Sequence, residues 1–337
     1  MNRKLWKLVA ALAATVAILA LAACGEKEED LDATAEPTEI DLALDFFINP
    51  DHAGVFTALA NGYFERAGLE VRPRVPSDPS APIREVAAGR AQLAITYEPE
   101  VLLAREQGLD VIAIAALVDQ PLTSLISLPA AEIAEPADLR GKTIATAGIP
   151  YQADYLETIL AEAGLSTSDV QQIDVGLNLL PALLGGRADA LLGAFRNIEG
   201  VDLERRGENP RIVPVNELGV PTYDELVLVA NSSELDENEE ELRLFISALA
   251  KGTADAVANP KAAADNVLEA GQGLDPKLTR AEVDATLPLL AKREGERYGE
   301  MAADEWDLFA SWMADNGLIS EVPDRDEVLT NKLLPRD

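Results

Sequence analysis

Cysteine occurs once in this chain, at position 24, and histidine once, at position 52. A lone thiol leaves nothing for a disulfide, a cysteine-based metal centre or a catalytic thiol in the rest of the chain. Positive charge is scarce too: 28 lysines and arginines face 59 aspartates and glutamates, for a net charge of −31. Such a surface repels nucleic acid and anionic headgroups, so neither is an expected partner, and most of the carboxylates serve solubility. The one long apolar run, from about Leu8 to Ala23, is too short and too small in side chain for a membrane span. Aromatic residues make up 5% of the chain, so any place where several gather is informative.

The apolar run comes after Asn2-Arg3-Lys4 and Lys7, the layout of a signal peptide over residues 1–23. It ends in Leu21-Ala22-Ala23-Cys24, which resembles the lipobox of bacterial lipoproteins, where the cysteine is lipidated and becomes the new N-terminus. An ordinary cleavage site with an incidental cysteine is the plain alternative. Residues 24–38 are acidic and lack apolar periodicity, as a tether does. The expected location is therefore extracytoplasmic, in the periplasm or at the cell surface, with Cys24 as the membrane anchor. About 300 residues remain, enough for one large domain or two lobes.

An internal repeat favours two lobes. Ala67-Gly68-Leu69 is followed by Gly89-Arg90-Ala91, and Ala163-Gly164-Leu165 by Gly186-Arg187-Ala188, at nearly equal spacing. In each copy a helix ends at the first glycine, a strand comes next (Glu70 to Val75; Gln171 to Val175), and a short helix ends at the second. Another strand succeeds it, Gln92 to Thr96 or Ala190 to Ala194. Each copy opens with a strand, a turn and a helix: Leu42 to His52 in the first, Thr143 to Tyr151 in the second. Matching elements in matching order predict two related α/β lobes. Leu125 to Leu128 and Leu226 to Ala230 read as two crossover strands, which assigns 39–125 and 227–337 to lobe 1 and 126–226 to lobe 2. The rest is predicted helical: Glu239 to Val257, Pro260 to Ala270, Arg280 to Leu290, and Ala303 to Asn316 with Gly317 as its stop. Trp306, Phe309 and Trp312 recur at helical spacing and are assigned to the core.

The stretch from Leu44 to Gly54 holds the only histidine. Leu42 and Leu44 to Ile48 read as a buried strand, Asn49-Pro50 breaks it, and Asp51 can cap a helix from about His52 to Ala60, closed by Asn61-Gly62. Ligands of open α/β sheets sit beyond the carboxyl ends of strands. At that edge the first lobe offers Asp45, Asn49, His52, Tyr97, Glu98 and Glu100. The second offers Gly148 to Gln152 with Tyr151, then Phe195, Arg196, Asn197 and Glu199, with Tyr223 nearby. Aromatic faces beside carboxylates and amides suit a planar heterocycle with N–H donors. The plainer reading of His52 and Asn49 is that they satisfy turn backbone, and of Glu199 that it caps its own turn.

Several motifs carry a resemblance: Leu-Asp-Phe-x-x-Asn-Pro-x-His-x-Gly at 44–54, Asn-Gly-Tyr-Phe-x-x-x-Gly-Leu at 61–69, Gly-Arg-Ala-x-x-x-Ile-x-Tyr-x-Pro-Glu at 89–100, Asp-Leu-Arg-Gly-Lys-Thr at 138–143 and Asn-x-Glu-Gly at 197–200. Over about Ile40 to Asn316 the chain resembles substrate-binding proteins of bacterial ABC importers, in the group of formylaminopyrimidine binders related to thiamine-pyrimidine synthase. The resemblance implies a two-lobe type II periplasmic-binding-protein fold with two crossover hinge strands. It also implies a monomer that hands a thiamine-pyrimidine precursor to a permease, with no cofactor and no metal. Phe46 stands where these relatives commonly carry Trp, and Phe195-Arg196 where an aromatic pair is usual.

Three function classes compete. A binding protein accounts for the lipobox, the tether and the two lobes. A synthase of the related type relies on a cysteine-rich iron-linked run and an active-site lysine, and this chain has no other cysteine and no lysine between Lys27 and Lys142. No enzymatic activity is therefore expected. A structural or adhesive protein leaves the polar, aromatic cleft unexplained. Within the binding class riboflavin or another flavin is the rival ligand, whereas an alkanesulfonate suits the acidic candidates less, Arg196 being their only base.

Overall fold

The computed structural model describes residues 37–336 apart from 79, 177 and 293–294. The leader, Cys24 and nearly all of the tether lie outside the described residues. No helix among the described residues is long and apolar enough to cross a membrane.

Among the described residues ten strands form two five-stranded mixed sheets. The first contains β1 (Thr38–Ala43), β2 (Leu69–Arg74), β3 (Leu93–Thr96), β4 (Val111–Val118) and, after a long excursion, β10 (Leu226–Asn231). The second contains β5 (Thr123–Ser127), β6 (Thr143–Thr146), β7 (Gln171–Asp174), β8 (Ala190–Phe195) and β9 (Arg211–Pro214). Their orders, β2-β1-β3-β10-β4 and β7-β6-β8-β5-β9, are the same arrangement written twice. In each, the repeat supplies three parallel strands and one antiparallel strand pairs beside them, β10 against β3 or β5 against β8. The four repeat glycines, Gly68, Gly89, Gly164 and Gly186, all have φ between +66° and +76°. Each ends a helix in the left-handed conformation that a side chain disfavours, which is why glycine marks both copies.

The apolar runs at Leu125 and Leu226 lie inside the sheets, as β5 and β10, because strands buried on both faces need continuous apolar sequence. The chain crosses between sheets just before each of them, through 119–122 and 215–225. The sheet edge at β4 is covered by the C-terminal segment: Leu329 bridges Ala113 in parallel and the Thr330 amide donates to the Ala113 carbonyl at 2.8 Å. That pairing satisfies backbone groups an edge strand would expose.

The first strand is shorter than its sequence pattern predicts. It ends at Ala43, and residues 45–48 bend away although Phe46, Phe47 and Ile48 prolong the apolar run. Those side chains line a cleft instead of the sheet, and Phe47 is 58% exposed. The next turn is capped by Asn49, not by Asp51. Asn49 Oδ1 accepts from the Asp51 amide at 2.7 Å, opening a 3-10 turn over Pro50–His52 that runs into the helix Ala53–Ala60. The predicted helices are found as Glu239–Ala258, Pro260–Ala270, Pro276–Leu290 and Ala303–Asp315. The third starts earlier than predicted because Asp275 caps it, accepting from the amides of Lys277 and Leu278 at 2.9 and 2.8 Å. Trp306 and Phe309 are buried, and Trp312 stacks on Phe309 with ring centres 5.4 Å apart.

Candidate functional site

A cleft of about 460 Å³ opens beyond the carboxyl ends of the parallel strands. From the first sheet come the bend after β1, residues 45–50, and Tyr97 after β3; from the second come Ala147 to Gln152 after β6 and Gly193 to Glu199 at the end of β8. Thr123 and Glu225, from the two crossings, lie on its wall, and residues 273–282 at the start of the helix Pro276–Leu290 complete it. Phe46, Tyr97, Tyr151 and Phe195 supply aromatic surface. Among the described residues five carboxylates line it, those of Asp45, Glu199, Glu225, Asp275 and Glu282, and no lysine, arginine or histidine does. A second recess, of about 420 Å³, lies by Ile112 and the C-terminal segment, where cationic Arg243, Arg297, Lys332 and Arg336 mix with Asp236, Glu239 and Asp326. It lacks the aromatic walls and lies away from the strand ends.

Six of the residues singled out from sequence meet on this wall: Asp45, Asn49, Tyr97, Tyr151, Phe195 and Glu199. Four do not. His52 is fully buried behind Asp45, its Nε2 donating to Asp45 Oδ1 at 2.8 Å while its Nδ1 accepts from the Asn49 amide at 3.3 Å. Because Nδ1 is an acceptor, the ring N–H is on Nε2, and Asp45 accepts its hydrogen bond. Tyr97 donates to the other oxygen of Asp45 at 2.9 Å, so both carboxylate oxygens are held before any ligand arrives. Glu98 is turned away from the cleft, its Oε2 accepting from the Asp224 amide at 2.7 Å, and burial together with Asp224 pushes its pKa well up. Tyr223 packs between Tyr155 and Phe309, its hydroxyl donating to Glu225 at 3.0 Å. Asn197 lies under the surface as a tie: its Nδ2 donates to Asp51 Oδ1 at 2.7 Å and to Thr286 Oγ1 at 2.8 Å. Asp51 lies after β1 of the first sheet and Asn197 after β8 of the second, so this bond joins the two halves. The physical reason for all four is the same: strand ends place them near the cleft, and side-chain direction takes them behind it.

Glu199 opens the helix Glu199–Arg206 and folds back so that its Oε2 accepts from the Phe195 amide at 2.8 Å, closing the turn after β8. Burial raises its pKa. Arg196 leaves the site, its guanidinium donating to Gln120 at 2.8 Å, and that removes the only base that the sequence offered the cleft.

Gln152, which the sequence offered with Tyr151, also reaches the wall, whereas sequence reasoning missed Glu225, Asp275 and Glu282. Glu225 accepts from the amides of Leu122 and Thr123 at 2.7 and 2.8 Å, from the Thr123 hydroxyl at 3.0 Å and from Tyr223, so it ties one crossing to the other. Its place directly before the apolar run of β10 was a usable signal, since a carboxylate at a sheet entrance needs donors. Glu282 gave none: it stands mid-helix like any solvated glutamate. Burial, with Asp202, Glu199 and Asp275 around it, raises its pKa to about 7.

Comparison with family profiles matches residues 49–263 to the NMT1/THI5-like family. The formylaminopyrimidine-binding protein of Halalkalibacterium halodurans is 35% identical over 302 residues, spanning 88% of this chain and 91% of the relative. The 4-amino-5-hydroxymethyl-2-methylpyrimidine phosphate synthase of Schizosaccharomyces pombe is 27% identical over 221 residues, 63% of each chain. Among solved structures, the alkanesulfonate-binding protein SsuA from Xanthomonas axonopodis pv. citri superposes with a TM-score of 0.67 at 16% identity, covering 88% of this chain and all of that one. The fold is thus the two-lobe periplasmic-binding-protein fold. The synthase corrects one expectation: relatives named as enzymes share this sequence pattern, so the missing cysteines and lysine do not place the chain outside enzymology.

Proposed function

Since the chain belongs to the NMT1/THI5-like family, we propose that it captures a thiamine-pyrimidine precursor in the cleft, as the extracytoplasmic binding component of an importer, held to the membrane through Cys24. One observation carries the ligand class. The cleft joins aromatic walls to five carboxylates with no base among them, and a flat ring rich in N–H donors answers both features. Anions meet only repulsion there. The ring lies against Tyr97, Tyr151 and Phe195, and Glu199, with one oxygen bound to the Phe195 amide, offers the other to an exocyclic amine or ring N–H.

Calorimetric titration of the purified protein with aminopyrimidines, with riboflavin and with an alkanesulfonate as comparison ligands, tests the class; the same mixtures assayed for new products test for turnover. A pyrimidine should bind and the sulfonate should not, and the reverse would overturn the reading. Glu199→Gln should weaken pyrimidine binding by about one to two orders of magnitude, as the loss of a charge-assisted bond does. Cys24→Ser should release the protein from membranes or leave the precursor uncleaved. A mature-sized, membrane-bound variant would refute the anchor.

A further inference from the structure

Four of the five cleft carboxylates are engaged by the protein itself. Asp45 is held by His52 and Tyr97, Glu225 by the two crossings, Asp275 by the helix amides it caps, and Glu199 through one oxygen by the Phe195 amide. Glu282 alone has no hydrogen-bond or ion-pair partner among the described residues, although it is only 7% exposed and lines the cavity. Neither of its oxygens is among the buried atoms left without a partner, so they face the cleft, where a ligand can supply the donor that the protein does not. Its surroundings disfavour the charge. Glu199 and Asp202 face it from the helix Glu199–Arg206, Asp275 from its own helix, and all carry the same charge. Asp202 is already paired with Arg206 at 2.8 and 3.0 Å. Glu199 belongs with the second sheet and Glu282 with the helix Pro276–Leu290, which packs against the turn after β1. The like charges therefore meet from the two sides of the cleft.

We propose that Glu282, with the open oxygen of Glu199, receives an ammonium group carried by the ligand, so that the ligand class is an aminopyrimidine with a protonated aminoalkyl arm and the arm joins the two walls. The inference rests on the pyrimidine reading above and adds the arm to it. An ammonium has three donors and no acceptor, which matches a pair of carboxylates with open lone pairs. It also replaces repulsion across the cleft with attraction, so the arm contributes to closure as well as to recognition. Glu282, partly protonated near pH 7 in the empty cleft, gives up its proton to solvent when the ammonium arrives. Binding at pH 7 then releases protons.

Two probes share a ring and differ only in the arm: an aminopyrimidine with a free aminomethyl group, and its N-formyl counterpart, whose arm is neutral. Calorimetric titration of both into wild type and Glu282→Gln gives a ratio of affinities for each protein. The variant should shift that ratio about tenfold toward the formyl probe, and the free-amine titration of wild type should show proton release when repeated in buffers of different ionisation enthalpy. Glu282→Asp, which keeps the charge, should retain most of the wild-type ratio, and thermal melts of both variants confirm the fold. An unmoved ratio with both probes bound overturns the inference alone. Failure of both probes to bind wild type overturns the pyrimidine reading and this inference with it.

Discussion

His52 shows how a single side chain serves the site without touching the ligand space. It holds Asp45 through Nε2 and its own turn through Nδ1, entirely out of solvent. His52→Ala leaves one oxygen of a buried carboxylate without its donor and an empty ring-sized space beside it. The loss in stability should be about 2 to 3 kcal/mol, the cost of a buried charged group deprived of a partner. Denaturant unfolding should register that loss, and the binding of a pyrimidine, measured where the variant is still folded, should change less than with Glu199→Gln. A large affinity loss at unchanged stability would place the ring in the cleft after all.

Two elements meet so closely that glycine is obligatory between them. The helix Ala53–Ala60, which carries the site's first turn, packs on the helix Glu239–Ala258 through Gly252; a Cβ there would lie 2.5 Å from the Cβ of Ala58 and 2.6 Å from the Gly54 carbonyl. Gly252→Ala should therefore force the helices apart and destabilise the fold by about 1 to 3 kcal/mol, as overpacking does. A midpoint shift in urea checks it, and a neutral or stabilising result would mean the helices part freely. The tie between Asp51 and Asn197 acts at the same scale. Each of the two keeps one buried oxygen without a partner, and a proton on Asp51 would supply the donor they lack. Asn197→Ala removes the tie and should reduce the population of the closed form, weakening ligand binding about threefold to tenfold. Unchanged affinity would show that the tie contributes nothing to closure.

At the scale of the whole molecule, acidity is the variable to watch. Burial raises Asp51, Glu100 and Glu282 to about 7; like charges nearby add to this, Asp45 for the first two and Asp202 for the third. A carboxyl whose folded pKa is raised binds its proton more tightly in the native state, so its contribution to stability is complete below the unfolded value near 4 and is lost as pH rises through 7. The net charge of −31 shrinks on acidification and acts in the same direction. Thermal melts should thus give a higher Tm at pH 5 than at pH 8, by at least a few degrees. Below about pH 4 the trend should reverse, as Asp78, Asp138, Asp169 and Asp275, whose pKa values are lowered by hydrogen bonds, take up protons. A Tm that rises steadily from pH 5 to pH 8 would contradict the assignment. Ligand that touches both walls should also draw the halves together, which small-angle scattering would show as a smaller radius of gyration.

Sequence alone determined the repeat, and through it the doubled order of strands, because helix-ending glycines and buried strands are local demands that each copy must satisfy in its own residues. It also determined the chemistry of the site in outline: acidic, aromatic and placed at strand ends. Tertiary structure decided which of those residues face the cleft. Asp45, Tyr97, Tyr151, Phe195 and Glu199 line it, whereas His52, Glu98, Asn197 and Tyr223 turn behind it, because a side chain's direction at the end of a strand depends on the adjoining bend, and that bend is set by packing from elsewhere. Glu282 lies far along the chain from the repeat that frames the cleft, and nothing in its neighbours in sequence says that its helix reaches the cleft wall. What made Glu282 distinctive was a place on the cleft wall without a protein partner, a property that does not exist until the chain is folded.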